Sequence, residues 1–436
     1  MTTPRSEADA GDLLEPGIAP SDLDEFRTYV RDWAKAVLEV KQETNPRLGG
    51  SSSDEELRER VAAHRAIQAQ LFTAGLAGIR YPREYGGQGL SAEHQAVFIE
   101  ETSPYQMPTQ LSVTLGILGP TILDYGTEEQ KQRYLRGMLT GQGIWVQLLS
   151  EPSGGSDMAG ARTRAVREGA GYVVNGSKIW TTGAHVADYG LLLARTDPEA
   201  TKHHGLSMIV TPLATPGVTI SPIRLATGAS EFCQEFFDDV RLPPENLLGA
   251  ENDGWAVASR LLYHERQMVG GIGFSDTRSH SAPPAGEDYE VISQAREAGM
   301  LDDAATRQLI GEWLTLETLY PLAAQRISAQ LELGLLPGAG ASLLKFLGGE
   351  VPYRETDLSV RIAGQAAALW PASGQGEAAR QADPPGLAFL VARSSTIAGG
   401  TTEMQLNQIS ERVLGLPREP TPDRDVPFSQ IRHGSR

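Results

Sequence analysis

The sequence predicts an α+β protein, mainly α, with an N-terminal helical domain, a central antiparallel β domain and a C-terminal helical bundle. Three observations predict it. Apolar residues recur at helical spacing over residues 22–143. Over residues 144–250 the texture changes to short apolar runs separated by Gly, Pro and Asn, the mark of strands. Helical spacing returns over residues 251–418. The ends, residues 1–21 and 419–436, carry neither period and are expected as a disordered leader and an extended tail.

Each element has a local reason. Ser53-Asp54-Glu55-Glu56 is a capping box, and Leu57, Val61, Ile67, Leu71 and Phe72 follow on one helical face. A second box, Thr127-Glu128-Glu129-Gln130, opens a helix carrying Tyr134, Leu135 and Met138. In such a box the hydroxyl accepts an orphan backbone N–H and the Glu or Gln returns the contact. Tyr172-Val173-Val174 and Lys178-Ile179-Trp180-Thr181-Thr182 flank Asn175-Gly176, which predicts a hairpin turning at that pair. Leu191–Leu193, Ser207–Val210, Val218–Ile220 and Glu235–Asp239 read as further strands. Leu309, Trp313, Leu316 and Leu319 mark one C-terminal helix, and Leu343, Leu344, Phe346 and Leu347 begin another. Residues 275–287 and 371–385, polar and rich in Gly, Pro or Ser, are expected as loops.

Composition excludes several function classes. The formal charge of −17 repels a polyphosphate, so a nucleic acid is not the expected partner. Cys233 is the single cysteine, which forbids an intrachain disulfide and suits a reducing, cytoplasmic compartment. No apolar run approaches the roughly 18 residues of a spanning helix, so no membrane span is expected. There is no Gly-Lys-Ser/Thr phosphate loop, no GxSxG elbow, and no second His one turn beyond His264-Glu265, so no metal site is expected.

The remaining motifs carry the chemistry. Ser150-Glu151-Pro152-Ser153-Gly154-Gly155-Ser156-Asp157 opens the β domain, and Asn175-Gly176-Ser177-Lys178-Ile179-Trp180-Thr181-Thr182 follows. Tyr81-Pro82-Arg83-Glu84-Tyr85-Gly86-Gly87 precedes them. Phe236-Phe237-Asp238-Asp239-Val240-Arg241-Leu242-Pro243 closes the domain. Gly399-Gly400-Thr401-Thr402-Glu403-Met404-Gln405 and Glu411-Arg412-Val413-Leu414-Gly415-Leu416-Pro417 come last. In this order and spacing the chain resembles the acyl-CoA dehydrogenase family, over roughly Phe26 to Arg418.

The resemblance implies a flavoprotein of fatty acid or lipid metabolism that uses FAD to dehydrogenate an acyl-CoA thioester. That reaction needs a desolvated base at the α-carbon and a flavin N5 to accept the β-hydrogen as hydride. Family members place the base at one of two positions. The commoner one falls here on Gly399, which cannot act. The alternative, on the first helix of the C-terminal domain, falls on Glu265. By the same resemblance Leu149, Ser150, Gly155, Ser156, Trp180, Thr182, Thr401 and Glu403 bind the cofactor, while Ser156 and Arg266 face the substrate. Electron-transfer flavoprotein is the implied electron acceptor, and a homo- or hetero-oligomer with a copy or a paralogue is the implied assembly.

The chain also departs from the family pattern. Ser153-Gly154-Gly155-Ser156-Asp157 replaces the frequent Gly-Ala-Gly-Ser-Asp. An Arg-x-Phe-Gly element that holds a neighbour's FAD is missing, with Arg296-Glu297-Ala298-Gly299-Met300 in its place. Gln365-Ala366-Ala367-Ala368-Leu369 stands where a Gly-rich FAD-contacting turn is frequent. Two other readings therefore stand beside the dehydrogenase: a non-catalytic subunit of a hetero-oligomeric dehydrogenase, and a flavin monooxygenase or oxidase on the same fold.

Overall fold

The computed structural model describes residues 14–41, 54–269, 289–369, 384–421 and 423–431. Ser53 and most of the loops expected at 275–287 and 371–385 lie outside them. Within the expected leader, residues 14–20 run along the helical domain: Gly17 N–H donates to the Phe72 carbonyl at 3.1 Å, and Ala19 N–H to Gln88 Oε1 at 3.1 Å.

The N-terminal helices are α1 (Leu23–Val37), α2 (Asp54–Thr73), α3 (Ala92–Thr102), α4 (Gly119–Tyr125) and α5 (Glu128–Leu139). Asp22 caps α1 by accepting the Asp24 and Glu25 N–H groups, and Phe26, Val30 and Ala34, one turn apart, bury one face of it. The capping box at Thr127 forms as read, with both reciprocal bonds present at 3.3 and 3.0 Å. One π-helical turn, Thr114–Leu118, precedes α4, and its Thr114 hydroxyl accepts the Trp145 N–H at 2.9 Å. That bond fastens the helical domain to the first strand.

The β domain holds β1 (Trp145–Leu148), β2 (Arg164–Glu168), β3 (Gly171–Thr182), β4 (Tyr189–Arg195), β5 (Leu206–Pro212), β6 (Val218–Ile223), β7 (Phe232–Leu242) and β8 (Leu247–Leu248). They form one sheet in the order β6-β7-β3-β2-β4-β5-β8, with β1 on β4. Pairing is mainly antiparallel, with parallel contacts between β1 and β4 and between β2 and β4. Both faces are covered at its centre. Leu191 and Leu193 join the core shared with the N-terminal helices, while Leu192 and Ala194 join a second core with Val174, Cys233 and Val240. This is why the sequence shows a continuous apolar run there instead of alternation.

The predicted hairpin at Asn175-Gly176 is corrected. β3 passes through that pair without turning, and the pair forms a β-bulge against β7. Gly176 has φ 149°, and a Cβ there would lie 2.6 Å from Thr163 Oγ1. Asn175 exchanges two bonds with Asp239, at 2.9 and 3.0 Å. The turn that joins β2 to β3 lies instead at Gly169, φ 61°. A bulge and a primed turn ask for the same positive-φ residues, so the dipeptide alone does not separate them.

The C-terminal part contains α6 (Gly254–Val269), α7 (Glu290–Glu297), α8 (Ala304–Glu332), α9 (Ala341–Ala363), α10 (Pro385–Ala392) and α11 (Thr402–Gln408). Val291, Ile310, Trp313, Leu358 and Ile362 make its core. The tail then returns to the β domain. Phe428 N–H donates to the Ala200 carbonyl at 2.9 Å, and the Phe428 ring lies under the Arg195 guanidinium at 3.9 Å. Among the described residues no helix is long and apolar enough to cross a membrane.

Candidate active site

Glu265 projects from α6, and the opposite side of that helix is anchored. Arg260 and His264, one turn apart, both reach Asp124 Oδ2 of α4, at 2.6 and 2.8 Å. With α6 held, the Glu265 carboxylate meets β1, where Gln147 Nε2 donates to its Oε2 at 3.2 Å. Its Oε1 lies 2.9 Å from the point where a Cβ on Gly399 would stand, and Lys345 Cε lies 3.2 Å from that same point. The turn carrying Gly399 is fixed too. Gly399 and Gly400 have φ 71° and 91°, and Gln405 Nε2 donates to both their carbonyls, at 3.1 and 3.2 Å. Lys345 is buried, and its Nζ donates to the Ser395 carbonyl at 2.5 Å.

Next to Glu265 on α6 stands Arg266, mostly shielded, with a buried Nε that has no hydrogen-bond partner among the described residues. Burial lowers its pKa, and the neighbouring Glu265 opposes that shift.

The wall beyond β1 is built over buried charge. Lys178 of β3 is fully buried and donates to Glu151 Oε1 at 2.8 Å and to the Leu149 carbonyl at 2.9 Å. Glu151 also accepts the backbone N–H groups of Arg162 and Thr163, at 2.7 and 2.9 Å. Burial pushes the Glu151 carboxyl up, but the Lys178 charge and these donors outweigh it and hold it below its ordinary range. The Ile179 N–H donates to the Ser150 carbonyl at 3.0 Å. The chain at Leu149 and Ser150 is thus pinned to β3 one and two residues before Trp180.

At Trp180 the backbone takes φ 69° within a second bulge of β3, and the side chain turns outward with about half its surface exposed, 54%. Thr182 is exposed, whereas Thr181 between them is buried. A left-handed non-Gly residue is sustained only where its surroundings impose it. Here it presents a large ring outward from the sheet, which fits a planar aromatic cofactor lying against it.

The other residues singled out from the sequence are spread around this centre. Gly155 and Ser156 sit exposed in the loop after β1, which Lys202 ties down through Asp157 at 2.7 Å. Thr401 caps α11 by accepting the Met404 N–H at 3.2 Å, and Glu403 is exposed in the first turn of that helix. The structure therefore brings Glu265 and Gly399 together. It also joins Leu149 and Ser150 to the strand of Trp180, and leaves Glu403 facing outward. Of the departures, Arg296 lies on α7, and Gln365 lies in the 3-10 turn Gly364–Ala368.

Sequence reasoning missed Gln147 and Lys345. Both are single polar residues inside apolar runs, Trp145-Val146-Gln147-Leu148-Leu149 and Leu343-Leu344-Lys345-Phe346-Leu347. A lone polar group in such a run signals a buried partner.

This arrangement agrees with the comparisons. Three family models cover most of the chain: the N-terminal, middle and C-terminal domains of acyl-CoA dehydrogenase match residues 21–142, 147–240 and 252–414. The chain belongs to the acyl-CoA dehydrogenase family. It is 34% identical to acyl-CoA dehydrogenase IpdE1 of Mycobacterium tuberculosis, over 91% of this chain and 99% of that one. It is 33% identical to acyl-CoA dehydrogenase FadE29 of the same organism, over 82% and 90%. Among solved structures it matches the Tcur3481-Tcur3483 steroid ACAD with TM-score 0.71 and 30% identity, covering 94% of this chain and 100% of that one. It also matches the ChsE4-ChsE5 complex from Mycobacterium tuberculosis with TM-score 0.66 and 28% identity, covering 91% and 98%. This acyl-CoA dehydrogenase is accordingly an oxidoreductase, and the helix–sheet–helix architecture read from its sequence is the one it adopts.

Proposed function

We propose that this chain is a catalytic subunit in which Glu265 removes the α-proton of an acyl-CoA thioester. The observation that carries the reading is the convergence of Glu265 Oε1 on the space beside Gly399. The carboxylate from α6 fills the place that a side chain on the C-terminal turn would otherwise supply. FAD, when bound, supplies the hydride acceptor. Trp180 and Thr182 would lie against its ring system, with Leu149 and Ser150 at the edge, Gly155 and Ser156 by the phosphates, and Thr401 and Glu403 toward the adenine end.

The chain's own groups divide the remaining work. Gln147 holds one carboxylate oxygen by donating to it, and the other faces the space beside Gly399. Lys345 lines the same point with its Cε, its Nζ being held by the Ser395 carbonyl. Arg266, together with Ser156, would meet polar atoms of the substrate. The likeness to the Tcur3481-Tcur3483 steroid ACAD supports a bulky polycyclic acyl group. The test is anaerobic reduction of the bound flavin by a panel of linear and steroid side-chain CoA thioesters. Reduction by a thioester, followed by slow reaction with oxygen and fast transfer to electron-transfer flavoprotein, supports the dehydrogenase. Absent reduction supports a non-catalytic subunit, and fast reaction with oxygen supports an oxidase.

Two further results are expected. Trp180→Ala should weaken flavin retention or shift the flavin absorption spectrum, as read on the purified variant. The bundle leaves Leu319, Leu322, Leu406 and Leu414 exposed, at 53%, 60%, 46% and 66%. Apolar surface of that kind asks for a partner. Light scattering should therefore find a dimer or tetramer, with itself or with a paralogue, the latter as in the Tcur3481-Tcur3483 and ChsE4-ChsE5 complexes. A flavin-loaded, active monomer would refute the assembly.

A further inference from the structure

Behind the flavin-facing strand lies a carboxylic acid for which the reaction scheme has no role. Glu235 of β7 is fully buried and is paired across the sheet with Lys178 of β3 and with Ile220 of β6. Its Oε2 stands 2.9 Å from Thr181 Oγ1, and its Oε1 is buried with no hydrogen-bond partner among the described residues. The same Thr181 hydroxyl lies 3.5 Å from the Gln147 carbonyl, and the Gln147 side chain is the donor to Glu265. Four residues on four elements, β7, β3, β1 and α6, thus form a line from the sheet to the base.

A hydroxyl has one proton and must choose between these two acceptors. With Glu235 ionised, Thr181 donates to the carboxylate. With Glu235 protonated on Oε2, the acid donates to Thr181 Oγ1, and the hydroxyl proton is released to the Gln147 carbonyl.

We propose that Glu235 is a positioning residue for the base: the proton it exchanges with solvent sets the direction of the Thr181 hydroxyl, and so how firmly β1 and Gln147 hold Glu265. This rests on Glu265 being the base. The surroundings favour a proton that comes and goes near neutrality. Burial pushes the Glu235 carboxyl up to about 7, opposed by the Thr181 donor, the backbone N–H and the Lys178 charge. The charged and titratable groups facing it are few. Lys178 lies across β3, Glu151 lies behind Lys178, and His185 sits on Cys233, two residues along β7, at 3.0 Å.

Three variants of the flavin-loaded protein test this. The rate of flavin reduction by an acyl-CoA substrate is measured against pH, and the infrared carbonyl band of a protonated carboxylic acid is titrated without substrate. The wild type should show that band disappearing with a midpoint near 7, and a fall in rate over the same range. Glu235→Gln keeps a donor on Thr181 at every pH. It should lack the band and the falling limb, and at pH 9 should run about three- to tenfold faster than wild type, the net effect of one hydrogen bond. Thr181→Val breaks the line; it should move the infrared midpoint upward by about one unit and hold the rate at its high-pH level throughout. A wild-type band that does not titrate, or a Glu235→Gln profile that superimposes on the wild type, overturns the proposal. Glu265→Gln separates the two readings. If it reduces flavin at the wild-type rate, the base assignment itself fails. If it is blocked while Glu235→Gln matches wild type, only the present inference fails.

Discussion

Replacing Glu265 by Gln is expected to slow reduction of the bound flavin by acyl-CoA on the order of 10²- to 10⁴-fold, the usual contribution of a positioned general base. The substitution keeps size and polarity, and Gln147 can still bond to the amide oxygen, so FAD content should not change. Stopped-flow absorbance with a reactive thioester reads the rate, and the denatured flavin spectrum reads the content. Glu403→Gln is the control, because Glu403 is exposed on the first turn of α11. Normalised to the FAD that stays bound, it should leave reduction near the wild-type rate, because Glu403 is assigned to the cofactor's adenine end and not to proton transfer. If it alone abolished reduction while retaining FAD, the base would lie on the C-terminal turn after all. Placing a Glu at Gly399 without removing Glu265 would not create a second base. Its Cβ would stand 2.9 Å from the existing carboxylate oxygen, on a backbone with φ 71°. A side chain starting there meets the Glu265 carboxylate at its first atom, so the two cannot share the space beside the turn.

Lys178→Met is expected to destabilise the folded protein by about 3–5 kcal/mol, the cost of removing one partner of a buried ion pair. Lys178 is fully buried, and its loss leaves Glu151 with two backbone donors and without its hydrogen-bonded counter-charge, Arg195 being the cation that remains nearby, while Glu235 loses the cation paired with it across the sheet. Equilibrium denaturation in urea reads the change. Adding Glu151→Gln to Lys178→Met should return part of it, because the stranded charge is then gone. The pH dependence carries two opposite signs. Glu151 is held below its ordinary range, so its stabilisation is present above the unfolded value and is lost as pH falls through the folded one. Glu235 is raised to about 7 from an ordinary 4.5. Between those values the folded state binds the extra proton, and stability declines as pH rises through that window. Destabilisation by Lys178→Met should therefore be greater at pH 8 than at pH 5. Equal losses at both would mean that Lys178 is not the counter-charge of this cluster.

What the sequence made legible was local. The capping box at Thr127 and the switch from helical to strand texture rest on neighbours in the chain, and both are found in the structure. The Asn175-Gly176 pair was misread because a dipeptide reports the φ it needs and not what lies opposite; Asp239 of β7 decides that it is a bulge. β1 is not legible as a strand because four apolar-rich residues look alike in a helix and in a strand. The site was legible only as far as the family resemblance carried it. Glu265 and Gly399 lie far apart in sequence, and only the packing of α6 against the C-terminal turn shows that they share one space. The same holds for Lys178, Glu151 and Glu235. Each reads alone as an ordinary surface charge; the register of β3 against β7 sets Lys178 beside Glu235, and the loop after β1 brings Glu151 to Lys178.

The return of the tail to the β domain has a topological consequence. Ser429 bonds to Glu199 across 230 positions of sequence, beside the Phe428–Ala200 bond and the bridge between Thr201 and Pro427. These contacts close a non-covalent ring that runs through half of the sheet and all of the C-terminal helices. Closing a ring costs entropy that grows only with the logarithm of its length, so a closure this long is little dearer than a short one. A single backbone cut anywhere inside the ring would leave two fragments still clasped, and the nicked protein would keep its parts in register.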